Sequence, residues 1–81
     1  MTREEVTTKV RDHLATELEI DPEKIELGTR FREDLDADSL DLYELLMELE
    51  DGYGIRVPEQ DAARIKTVGD AVDFVVEHAP V

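Results

Sequence analysis

Asp34-Leu35-Asp36-Ala37-Asp38-Ser39-Leu40-Asp41-Leu42-Tyr43-Glu44-Leu45-Leu46-Met47-Glu48-Leu49-Glu50-Asp51 is the stretch on which the fold turns. At about 100° per residue, Leu42, Leu45, Leu46 and Leu49 fall within one narrow sector of a helix, and such a sector faces a core. Asp38 suits the N-cap, with Asp41 at the third helical position. Gly52-Tyr53-Gly54 breaks the pattern, so the expected helix runs from Asp38 to about Asp51.

A second apolar strip lies on the same helix. Leu40, Tyr43 and Met47 point away from the core sector, on the side of Ser39, and Asp41, Glu44, Glu48, Glu50 and Asp51 surround them. From Glu33 through Gly54 there are nine acidic residues, Glu33 included, and no Lys or Arg. A core stripe plus a separate apolar strip ringed by acids describes a docking surface. An ordinary solvated face with scattered apolar residues gives the same pattern. Ser39, in the first turn, is by position a capping residue. A nucleophilic role needs an activating base, and neither His13 nor His78 is near it in sequence. Both histidines read as surface or rim residues. What suits an exposed Ser39 is modification by another enzyme, with a phosphodiester lying against free backbone N–H groups at the helix start.

Outward from this helix, Thr2 and Glu5 make a capping box, and Val6, Val10, Leu14 and Leu18 recur every four residues on a first helix of about four turns. Asp21-Pro22 is expected to end or redirect it. From Pro22 to Ala37 the apolar residues Ile25, Leu27, Phe31 and Leu35 have no period, so this reads as a long loop plugging down onto the helices. Pro58 opens a short helical turn through Arg64. Thr67 and Asp70 cap a last helix, lined by Val68, Ala71, Val72, Val75 and Val76 and ending near His78. Strand alternation is confined to Tyr53–Val57 and is weak. The expected fold is all-α: a small four-helix bundle of three main helices and one short one, with a long loop between helices one and two.

With 81 residues, the chain is expected to form one domain, 1–81, with little room for a deep catalytic cleft. Its 22 Asp and Glu against 9 Lys and Arg leave a formal charge of −13. That argues against nucleic acid and anionic membranes as partners and for a partner with a basic surface. Cysteine is absent, which excludes disulfides and zinc–cysteine sites. Met1–Glu5 lacks the apolar stretch of a signal peptide, so a soluble cytoplasmic protein is expected, and a monomer is the expected state. Asp34, Asp36 and Asp38 mimic positions one, three and five of a calcium loop. The pattern fails at position six, Ser39 instead of glycine, and at position twelve, Leu45 instead of glutamate, so no calcium switch is expected and no metal site is assigned, while the charge density leaves weak divalent-ion binding open.

The stretch Asp34–Asp41, continued by Glu44-Leu45, Met47, Leu49-Glu50-Asp51, Tyr53, Val57-Pro58 and Ile65-Lys66-Thr67-Val68, closely resembles the acyl carrier proteins. Length, acidity and helix order agree across essentially the whole chain. The resemblance implies a carrier and not an enzyme. Ser39 would bear 4′-phosphopantetheine, transferred from coenzyme A by a separate Mg²⁺-dependent phosphopantetheinyl transferase, and Asp38 would be the acid preceding the modified serine. Acyl chains would ride as thioesters on the thiol of that arm. Leu40, Asp41, Glu44, Met47, Glu48, Glu50 and Asp51 match the recognition helix that docks on basic patches of partner enzymes, and Tyr43 stands on the same face. Fatty acid biosynthesis is the expected pathway. The alternatives are a polyketide or other specialised acyl pathway, or an unmodified acidic interaction module of the same fold. Departures from the family are Asp36, where glycine is common, which implies a different backbone turn; Tyr43, in place of a smaller aliphatic residue; and Gly52 and Arg56, where acids are common.

Overall fold

The computed structural model describes residues 2–79. The first helix, α1, spans Arg3–Leu18 and begins with the expected capping box: the Glu5 amide donates to the Thr2 hydroxyl at 3.1 Å, and the Thr2 amide to the Glu5 carboxylate at 3.3 Å. It ends earlier than Asp21-Pro22. Glu19 takes the left-handed conformation at φ 56°, and its amide and that of Ile20 both donate to the Ala15 carbonyl. This closes the helix before proline matters.

Helix α2 spans Ser39–Tyr53, with Asp38 as its N-cap. It runs through Gly52 and Tyr53 and stops only at Gly54, where φ is 64° and Ile55 N–H reaches the Glu50 carbonyl. The short helix α3 spans Glu59–Ala62, and α4 spans Val68–His78 behind a Thr67–Asp70 capping box. No strand forms among the described residues at Tyr53–Val57. The Val57 amide instead donates to the Glu50 carboxylate at 2.8 Å, which uses the donor a ladder would need. The fold is all-α, three main helices and a short one, with the long loop between the first two.

Val6, Val10 and Leu14 of α1, Leu45, Leu46 and Leu49 of α2, and Val68, Ala71, Val72 and Val75 of α4 form the core, and α1 packs chiefly against α4. Burying each of the valine and leucine side chains stabilises the fold by about 1.5–3 kcal/mol. Leu42, placed with the core leucines by its period, is only half-buried. The long loop contributes Ile25, Phe31 and Ala37 to the core, while Leu27 remains exposed. Leu27 acts through its backbone: its carbonyl accepts from Gly69 N–H at 2.7 Å, and that of Thr29 accepts from Val68 N–H at 2.9 Å. These two amides belong to the first turn of α4 and have no partner within the helix. The Phe31 amide donates to the Lys66 carbonyl at 3.0 Å, so the loop is tied down immediately before it turns toward Ser39. No helix among the described residues is long and apolar enough to cross a membrane.

Candidate functional site

Asp38 and Asp41 set the start of α2 by reciprocal bonds. The Asp41 amide donates to the Asp38 carboxylate at 3.0 Å, and the Asp38 amide to the Asp41 carboxylate at 3.1 Å. Ser39 follows the cap directly, so its side chain stands exposed in the first turn. The loop enters through Asp36 at φ 54°, the left-handed region glycine favours and aspartate tolerates. Asp36 therefore holds a backbone conformation that glycine adopts freely.

The cap narrows the expectation that an anion on Ser39 lies against free amides at the helix start. The Asp41 amide is already taken by Asp38, and two carboxylates flank the hydroxyl's end of the helix. The nearby positive charge comes from the loop: Arg32 Nη2 donates to Ser39 Oγ at 2.8 Å. Beside this pair opens a groove of about 470 Å³ between the loop, α2 and the α3 region, floored by Phe31, Leu42, Ala62 and Ile65. Leu42 is half-buried because it forms part of this wall.

The second apolar strip lies open to solvent: Leu40, Tyr43 and Met47 are 64%, 50% and 60% exposed on α2. Asp51 is exposed as well. The other acids of the strip also make bonds within the protein. Glu50 accepts from Val57 N–H, Glu48 pairs with His13, and Asp41 belongs to the cap. Glu44 meets Glu17 of α1; the hydrogen bond between the two carboxyls, together with the neighbouring negative charge, raises the Glu44 pKa. Glu17, Asp41 and Glu44 bring carboxylate oxygens within 4.8 Å of one another.

Three participants were not found from sequence: Arg32, Glu17 and His13. His13 is a partly buried rim residue. Its side chain is 14% exposed and lies between α1 and α2, with Nδ1 on Glu48 and Nε2 buried without a partner. His78 does sit at the rim, exposed and stacked on Phe74 at 4.1 Å between ring centres. Near Gly52 the Lys9 side chain closes in, and its ammonium lies 5.7 Å from the Tyr53 ring centre.

Comparison with known proteins agrees with this geometry. The family model described as the phosphopantetheine attachment site matches residues 8–75. The chain is 49% identical over 78 residues to the acyl carrier protein of Rubrobacter xylanophilus, covering 96% of each chain. It is 45% identical to the acyl carrier protein of Lactobacillus acidophilus, covering 96% of this chain and 98% of that one. Among solved structures, it is similar to the acyl carrier protein from Enterococcus faecalis with a TM-score of 0.84 and 38% identity, covering 98% of this chain and 100% of that one. A capped acidic helix with an exposed serine in its first turn, set in a domain matched to phosphopantetheine attachment over most of its length, places this chain in the acyl carrier protein family.

Proposed function

We propose that Ser39 is the attachment point of 4′-phosphopantetheine and that the protein serves fatty acid biosynthesis as a cytoplasmic, monomeric carrier, an acyl-carrier domain over 1–81 that itself catalyses nothing. The observation that carries this reading is the exposed Ser39 hydroxyl at the start of the acidic helix α2. The surroundings suit the group. An open groove adjoins the hydroxyl, and a guanidinium stands against Oγ, a fitting neighbour for an anionic diester. When bound, the arm supplies the thiol that this cysteine-free chain lacks, and acyl groups travel on it as thioesters.

The chain's own residues present and advertise that arm. Asp38 and Asp41 fix the first turn of α2 and so hold Ser39 outward. Leu40, Tyr43 and Met47 offer apolar contact to partner enzymes, and Asp41, Glu44, Glu48, Glu50 and Asp51 ring that contact with negative charge, which speeds and orients encounter with a basic surface. The transferase and the acyl-processing enzymes would read the same face. Isolating the protein from its own cells and mapping its peptides by mass spectrometry tests the reading. The expected result is a phosphopantetheine arm on the Ser39 peptide bearing saturated and 3-oxo acyl groups of graded length. An unmodified Ser39 peptide would refute the carrier role, and acyl groups of another kind would refute the pathway.

A further inference from the structure

We infer that Arg32 is the counter-ion of the phosphodiester carried by Ser39, a positioning residue that holds the root of the arm beside the groove. The inference rests on the carrier reading above. Arg32 Nη2 donates to Ser39 Oγ at 2.8 Å, and Oγ is the atom to which the phosphorus would be bonded. On attachment Oγ loses its hydrogen but remains an acceptor, so this contact is compatible with the modified state.

Electrostatics give the contact its purpose. A phosphodiester is anionic throughout the physiological range, and here it joins the carboxylates of Asp38 and Asp41 at one helix start. Arg30, the other arginine in this part of the loop, is already engaged by Asp34 at 3.2 Å and Glu33 at 3.5 Å. Among the described residues no carboxylate forms an ion pair with Arg32. Its planar fork carries five N–H donors, and the contact with Ser39 uses one, leaving others for the diester's free oxygens. Lys66 lines the same groove but is a point charge without that fork.

The test compares unmodified and loaded forms of the wild type, Arg32→Gln and Arg32→Lys, with loading at Ser39 checked by intact mass and melting followed at low ionic strength. Subtracting each variant's unmodified melting temperature removes any purely structural effect of the substitution. Loading is expected to lower the melting temperature of Arg32→Gln by about 2–4 °C more than that of the wild type. Arg32→Lys should fall between them, and the difference should close at about 0.5 M salt. An equal loading effect in wild type and Arg32→Gln would overturn the role of Arg32 while leaving the carrier reading intact. Absence of any mass gain on wild-type Ser39 would instead overturn the carrier reading, and the Arg32 role with it.

Discussion

Glu19 and Asp36 hold the left-handed backbone conformation, with φ 56° and 54°, although neither is glycine. The two positions differ in how well the residue suits it. An aspartate side chain hydrogen-bonds locally and tolerates this region, whereas glutamate has no such compensation. Glu19 also places a negative charge at the C-terminal end of α1, where the helix dipole disfavours it. Glu19→Gly should therefore stabilise the protein by about 1 kcal/mol and raise its melting temperature by several degrees, as thermal melts would read. No decrease in strain is available at Gly54, which already supplies the same conformation at the end of α2. The contrast explains why one helix end was legible and the other was not. Gly54 announces a stop in the sequence, while a glutamate carries no left-handed signal, and the first breaker legible after α1 is Pro22.

At the level of elements, the three capping boxes were readable because each joins residues three apart, within the reach of a single turn: Thr2 with Glu5, Asp38 with Asp41, and Thr67 with Asp70. The contacts of Arg32 with Ser39, His13 with Glu48 and Glu50 with Val57 were not readable, because each depends on the path of a loop or the packing of two helices. Gly69 shows how closely that loop is fitted. A Cβ there would lie 2.9 Å from the Leu27 carbonyl oxygen, a backbone atom that moves only with the loop. Gly69→Ala should cost about 1–3 kcal/mol and lower the melting temperature accordingly. Helix α2 allows recognition and stability to be separated. Glu44→Lys replaces a like-charge contact with Glu17 by an attractive one, so it should preserve or raise the melting temperature. It should nonetheless slow modification by the transferase by about tenfold if, as proposed, the strip docks on a basic surface, to which the variant presents a cation. Asp41→Lys should slow the reaction similarly but also lower stability by about 1 kcal/mol, through loss of the cap. Normal rates for both variants would reduce the acidic strip to a solvated face.

Over the whole molecule, 22 acids face 9 Lys and Arg, and folding concentrates that charge. Added salt, or millimolar Mg²⁺ or Ca²⁺, should raise the melting temperature by screening the repulsion; a melting temperature indifferent to all of them would mean that the charge costs the fold little. The pH dependence has two opposed parts. Glu44 has a raised pKa in the folded protein, chiefly from its hydrogen bond with Glu17, so the folded state holds more protons. Its contribution is complete below the ordinary carboxylate range and is lost as pH rises through the elevated value. Asp34 is lowered, chiefly by its hydrogen bond with the Arg30 side chain, so its contribution is present above the ordinary range and is lost as pH falls through the depressed value. Mild acidification from neutral should therefore stabilise the protein first through Glu44, and Glu44→Gln should remove that part of the rise. The charge, the cap and the exposed hydroxyl serve one claim, that Ser39 bears the arm. Intact mass after incubation with coenzyme A and a phosphopantetheinyl transferase tests it. The wild type should gain the mass of one phosphopantetheine, and Ser39→Ala, with helix content and melting nearly unchanged, should gain none; full modification of the alanine variant would contradict it.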